Sequence, residues 1–207
     1  MKDKSTFSFQ GVKGAYSELA GKNIYPNSIS LPCKTFEDMF QEVRSQNTNV
    51  ALVPIENSRA GRVADTQRLI PESKLKIIGE YFLEVNHCLL VVPGSSLDDI
   101  KRIHSHEQAI AQCRNKIIKY DKDMNVVADT AGAAKMISEL NNKEDAAIAS
   151  NLAATTYNLD ILENNFQDAK KNITRFLIMS NELLFPIKNE KSLMTTLVFE
   201  LKSIPAA

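Results

Sequence analysis

The sequence predicts an α/β protein, and three observations carry that prediction. Short β-rich runs alternate with stretches of helical apolar spacing along most of the chain. Several of the runs end in small polar residues placed where a helix would begin. The composition, 43% hydrophobic and 24% charged over 207 residues, is that of an ordinary globular protein with one domain or two small lobes.

The elements follow in order. Phe7-Ser8-Phe9 is strand-like, and a short helix is expected from about Ser17. Thr35 and Asp38 form a capping-box variant ahead of an apolar stripe of Phe36, Met39, Phe40 and Val43. Val50-Ala51-Leu52-Val53-Pro54-Ile55 is a buried-strand candidate with Pro54 near its end. Leu75 to Val92 holds two or more strands before the Pro93-Gly94 turn. Ile103-His104 is a short strand, followed by a single helix from about Glu107 to Tyr120 with Ile110, Cys113 and Ile117 on one face. Val126-Val127-Ala128 precedes a helix bearing Ala133, Ala134, Ile137 and Leu140. Ala146 to Ala149 precedes another around Leu152 to Tyr157, and Thr174 to Met179 is again a strand.

Composition also excludes functions. Lys+Arg and Asp+Glu balance at 25 each, so no net field draws nucleic acid or an anionic membrane, and neither is an expected partner. No run approaches the ~18 consecutive apolar residues of a spanning helix. The segment from Met1 to Phe7 lacks the apolar core of a secretory signal. Cys33, Cys88 and Cys113 show no CxxC spacing, which suits reduced thiols in a cytoplasmic protein. His87, His104 and His106 have no metal-ligand spacing, so no metal is expected.

The junctions between strand and helix say more than the elements. Glu56-Asn57-Ser58, Ser105-His106, Asp129-Thr130 and Ser150-Asn151 each stand where a strand gives way to a helix. In open α/β sheets the ligand crevice lies beyond the carboxyl ends of strands, and helix N-termini there favour an anion. Taken singly, each is a common N-cap. Together they point to a small anionic ligand without identifying it.

Identification comes from motifs. Gly11-Val12-Lys13-Gly14-Ala15-Tyr16-Ser17-Glu18, Pro54 to Gly61, Ser105 to Cys113, Asp129 to Ala134, and Asn172-Ile173-Thr174-Arg175-Phe176 resemble, in order, the signatures of prephenate dehydratases over about residues 6–180. One departure is Glu107, where the family has proline after the Ser-His pair; either suits a first helical turn.

The resemblance implies two α/β lobes like those of type II periplasmic binding proteins, with the site in the cleft between them. One lobe would take residues 1–80 plus 174–182, and the other 81–173. A linker over 183–191 would lead to the truncated start of an ACT regulatory domain over 192–207, too short to build a phenylalanine site. It further implies a cytoplasmic homodimer or higher homo-oligomer of phenylalanine biosynthesis that dehydrates and decarboxylates prephenate. No cofactor is expected, because the departing carboxylate supplies the electrons that make the ring aromatic.

By the same resemblance, Thr174 is the candidate for contact with the leaving hydroxyl, as a hydrogen-bond donor or proton relay. Glu56 and Asp129 are candidate carboxylates of the catalytic set, each with a raised-pKa acid and a backbone-capping role open. Asn57, Ser58, Ser105, Gln112 and Thr130 are candidate substrate-binding residues. Arg175 is a further one, although strand alternation turns it away from Thr174. His106 is weighed as an acid or a structural imidazole, and Cys113 as a core thiol. Two alternatives stand beside this activity, arogenate as substrate and a non-catalytic small-anion-binding module of the same fold.

Overall fold

The alternation resolves into two sheets in the computed structural model, which describes residues 5–169, 171–183 and 195. The first lobe runs β1 (Thr6–Gln10), α1 (Tyr16–Ile24), β2 (Ile29–Cys33), α2 (Phe36–Arg44), β3 (Val50–Asn57), β4 (Gly61–Arg62), α3 (Ala64–Ser73) and β5 (Lys76–Glu84). The second runs β6 (Cys88–Val91), β7 (Arg102–Ser105), α4 (Glu107–Gln112), α5 (Arg114–Lys119), β8 (Asp123–Val126), α6 (Thr130–Leu140), β9 (Asp145–Ala149), α7 (Asn151–Tyr157) and β10 (Asp160–Glu163). Then β11 (Ile173–Ser180) returns to the first lobe. Strand order is β2-β1-β3-β11-β5 in one sheet, with β4 beside β3, and β10-β6-β9-β7-β8 in the other.

Both sheets are mixed, with helices on their faces. In the first, β1 is parallel to β2 and β3, while β11 lies antiparallel between β3 and β5. The fold class is the one the sequence predicted, two α/β lobes. Residues 85–87 carry the chain out of the first lobe, and it returns after β10 through a segment that includes residues 164–169 and 171–172.

Local sequence explains most elements. Thr35 Oγ1 accepts the Asp38 N–H at 3.0 Å, capping α2 as expected, a contact worth about 1 kcal/mol. Met39, Phe40 and Val43 then bury against Leu69, Leu177 and Met179. Pro54 is tolerated inside β3 because β1 stops pairing at Leu52, and the register against β11 shifts between Arg175 and Phe176. Alanines make β9 and the inner faces of α6 and α7 slim enough to pack closely, and Ala133, Ala134, Ala147, Ala149 and Ala153 share one core cluster.

Elsewhere tertiary structure overrides the pattern. The single helix expected over Glu107–Tyr120 is broken at Cys113, whose φ of −114° and ψ of 8° end α4 and begin α5. Asp168, distant in sequence, supplies the reason. Its carboxylate accepts the N–H groups of Asn115 and Lys116 at 3.0 and 3.3 Å, and its own N–H donates to Gln112 O at 2.8 Å. Ile110, Cys113 and Ile117 are buried together as the stripe required. The strand expected at Val126–Ala128 lies earlier, ending at Val126, and Leu140 is exposed. Glu56-Asn57-Ser58 leads into the β3–β4 turn rather than a helix. The linker and the expected further domain lie outside the described residues, Leu183 and Thr195 apart.

Candidate active site

The lobes face one another across a cavity of about 530 Å³, with Tyr16, Asn57, Arg62, His87, Gln112, Thr130, Asn172 and Thr174 on its wall. A neighbouring cavity of about 300 Å³ shares Ala60, Gln108, Gln112 and Asn172 with it and adds Arg59 and Asp168. Strand pairing brings the key groups together. Thr174 on β11 lies directly opposite Asn57 on β3, and Asn172 immediately precedes β11.

The hydrogen bonds here have a direction that can be derived. Asn57 Oδ1 accepts the backbone N–H groups of Arg59 at 2.9 Å and Ala60 at 2.8 Å, which fixes its amide against flipping. Its Nδ2 must therefore donate, to Thr174 Oγ1 at 2.8 Å and to Asn172 Oδ1 at 2.7 Å. Asn172 is thereby oriented too, and its Nδ2 donates to Gln112 Oε1 at 2.6 Å. Thr174 Oγ1 acts as acceptor toward Asn57, so its own hydrogen remains available to a ligand. No other described residue hydrogen-bonds that hydroxyl.

The remaining candidates fall elsewhere. Thr130 opens α6 and lines the cleft, while Asp129 beside it caps that helix, its Oδ1 taking the Gly132 N–H at 2.6 Å. Ser105 is fully buried and donates its hydroxyl to Ile148 O at 2.6 Å, which commits it to joining β7 and β9. Ser58 pairs with Ile173 through N–H to O at 2.8 Å and accepts the Ile173 N–H on its hydroxyl at 2.9 Å, extending the β3–β11 ladder. Arg175 turns to the opposite face of β11 from Thr174. There its guanidinium lies 2.8 Å from Glu80 and 3.4 Å from Glu56, and over the Phe82 ring. Glu56 is exposed, with Arg175 as its ion-pair partner. Glu56, Asp129, Ser58, Ser105 and Arg175 are thus not part of the cavity wall. His106 lines the wall and caps α4, its Nδ1 accepting the Gln108 N–H at 3.2 Å. Glu107 is exposed and off that wall.

The structure adds residues that the sequence reasoning left without a role. Asn172 stood inside a quoted motif, and Tyr16 inside another. His87 carried no signal, because only the fold brings it 3.0 Å from Gln112 Oε1 and 2.7 Å from Tyr16 OH. The Gly11–Glu18 motif builds the seam between the lobes. Gly14 O accepts the Ser150 hydroxyl at 2.6 Å, and Lys13 O accepts the Tyr157 hydroxyl at 2.7 Å. Glu18 is buried beneath the loop, accepting Gly14 N–H at 2.7 Å and the Ser30 hydroxyl at 2.5 Å.

All three cysteines are buried and free. Burial pushes the Cys33 thiol up to about 11 and raises those of Cys88 and Cys113, so thiolate is scarce at neutral pH. Among the described residues, no cluster of three or more His, Cys, Asp or Glu side chains is assembled to hold a metal ion, and no helix is long and apolar enough to cross a membrane.

Fold and site together define a two-lobed α/β protein with a polar interlobe cleft in which amide and hydroxyl groups stand beside the charged side chains of Arg62 and Asp65. The family model for prephenate dehydratase matches residues 7–183, and the chain belongs to that family. It is 44% identical, over its whole length and 74% of the relative's, to a bifunctional N-acyl-homoserine lactone acylase/prephenate dehydratase of Komagataeibacter europaeus. It is 41% identical, over 96% of its length, to arogenate dehydratase/prephenate dehydratase 2 of Arabidopsis thaliana. The chain spans about half of that plant relative, 52%. Among solved structures, GqqA, described as a novel type of quorum quenching acylase, superposes with a TM-score of 0.82 at 46% identity, covering 87% of this chain and 65% of that one. The prephenate dehydratase of Arthrobacter aurescens in complex with L-Phe gives 0.81 at 30% identity, covering 89% and 63%.

Proposed function

We propose that this chain catalyses the decarboxylating dehydration of prephenate to phenylpyruvate in aromatic amino acid biosynthesis. The observation that carries the reading is the directed bond from Asn57 Nδ2 to Thr174 Oγ1, which leaves one hydroxyl hydrogen facing the cleft. In the reaction the ring C–OH bond breaks and the oxygen leaves as water. The ring carboxylate leaves as carbon dioxide, and its C–C bonding pair completes the aromatic ring. One proton is consumed at the leaving oxygen. A threonine hydroxyl is a weak acid, so Thr174 serves by donating a strong hydrogen bond and relaying a solvent proton. Asn57 positions it.

The substrate's two carboxylates need cationic or N–H partners. Arg62 on the main cavity wall and Arg59 on the adjoining one supply positive charge, and Gln112 and the α6 N-terminus at Thr130 supply donors. Asp65 lies on the same wall. An ammonium group would find it attractive, so arogenate is the alternative substrate. Turnover of both, measured as kcat/KM for phenylpyruvate or phenylalanine formation, decides between them. Absence of product from either above the spontaneous background would remove the dehydratase reading and leave a non-catalytic anion-binding module or an amide hydrolase.

The acylase named among the relatives supports a second reading, hydrolysis of an N-acyl-homoserine lactone amide. Acyl transfer needs a nucleophile whose proton is taken by a base. Thr174 instead accepts from an amide and has no imidazole or carboxylate bonded to it among the described residues. The geometry favours dehydration. Acyl-homoserine lactone offered in the same assay tests that preference.

A further inference from the structure

Gln112 stands at the end of α4, in the second lobe, and its amide has a fixed sense. Asn172 Nδ2 donates to Gln112 Oε1 at 2.6 Å, and His87 Nε2 lies 3.0 Å from the same oxygen. An oxygen already accepting from an amide can only be approached by another donor, so His87 carries its hydrogen on Nε2. A neutral imidazole then has a lone pair on Nδ1 that accepts from Tyr16 OH, 2.7 Å away, and the single hydrogen of that hydroxyl is shared with Asn86 O at 3.1 Å. The Tyr16 ring also packs edge-on against the imidazole, with centroids 5.5 Å apart. Burial makes the neutral form the stable one. His87 is 3% exposed, and desolvation lowers its pKa from the ordinary histidine value against the opposing bond to Gln112.

One group is left over. With Oε1 holding two donors, Gln112 Nε2 has no hydrogen-bond partner among the described residues, and Gln112 forms part of both cavity walls. Flipping the amide would set its NH2 against the Asn172 NH2, whose own sense is fixed through Asn57, so the outward sense is enforced.

We propose that His87 is a positioning residue of the candidate site: with its Nε2–H committed to Gln112 and Tyr16 packed against its ring, it holds the Gln112 carbonyl and so presents the Gln112 NH2 to a substrate carboxylate. The linkage joins the first lobe through Tyr16, the crossing segment through His87, and the second lobe through Gln112. The donor is therefore assembled only when the lobes are seated together. This inference rests on the dehydratase reading of the cleft. A carboxylate is present in the ground state as well as the transition state, so loss of its partner shows in KM more than in kcat.

The test compares His87→Phe with His87→Gln in the full chain, using prephenate and arogenate. His87→Phe removes the donor, and KM is expected to rise about tenfold with kcat within roughly threefold. His87→Gln keeps an N–H near the same place and is expected to restore KM to within about threefold of wild type. A merely structural histidine would lower Tm in both variants without dividing them by KM. Independently of turnover, side-chain 15N spectra of the wild type are expected to show an Nε2–H tautomer that takes up its second proton only below the ordinary histidine range. Wild-type KM in His87→Phe, failure of His87→Gln to rescue, or an Nδ1–H tautomer would each overturn the positioning role. Absence of wild-type turnover on both substrates would instead remove the dehydratase reading on which it rests.

Discussion

Thr174 acts through one hydrogen atom, and its neighbours decide where that atom points. Asn57 takes two backbone N–H groups on its carbonyl, so it can only donate to Thr174 at 2.8 Å. Thr174→Val keeps the shape and removes the hydroxyl, leaving Asn57 Nδ2 still bound to Asn172. The expected outcome is a fall in kcat of roughly tenfold to a thousandfold with KM nearly unchanged, the range for one preorganised donor. Thr174→Ser should retain much of kcat. Steady-state kinetics on prephenate checks both, and an undiminished kcat in the valine variant would take Thr174 out of the chemistry.

Among the elements, the pairing of β7 with β9 depends on one buried carboxylate. Asp145 begins β9 and lies opposite Arg102 in the register. It accepts from Arg102 Nε at 2.7 Å and Nη2 at 3.1 Å, from His104 Nε2 at 2.8 Å, and from Asn142 at 2.8 Å. The Arg102 hydrogen bond is the main cause that holds its pKa down to about 2, against desolvation. A folded-state pKa below the unfolded one contributes stability that is complete above the unfolded value and is lost as pH falls through the folded one. Asp145→Asn should therefore be less stable than wild type at pH 7. That difference should shrink between about pH 4 and pH 2, in denaturant midpoints measured across the range. A gap that does not change with pH would show that the carboxylate is not the source.

At the scale of the whole molecule, the site exists only while the lobes stay seated, and Gly14 is where they touch. Its φ is +85°, and a Cβ there would lie 2.8 Å from Ala153 Cα and 3.0 Å from Ala153 Cβ. Alanine would meet both penalties, a left-handed backbone and a collision with α7. Gly14→Ala is expected to cost on the order of 2 kcal/mol, a drop in Tm of roughly 4–8 °C for a chain of this size. It should also open the cleft, seen as a larger radius of gyration by small-angle X-ray scattering. An unchanged Tm and radius would mean that the seam yields without consequence.

Periodicity and caps were legible in the chain because they are local. The α2 stripe of Met39, Phe40 and Val43 with its Thr35 cap, the apolar β3 run, and the alanine face of α6 each follow from spacing of 2 or 3.6 residues. So did the opposite facing of Thr174 and Arg175, which neighbours on a strand must show. The ordered motifs carried the family. What no local pattern contains is which side chains meet across a large sequence separation. The break at Cys113 needed Asp168, and the burial of Ser105 needed the carbonyl of Ile148. The hydrogen-bond network linking Asn57, Asn172, Gln112 and His87 needed both lobe crossings to converge. Residue types alone leave an asparagine or a histidine free to be a cap, a ligand or a core group. Tertiary structure settles its environment by fixing which donors and acceptors surround it, since a buried polar atom keeps only the partners its neighbours allow.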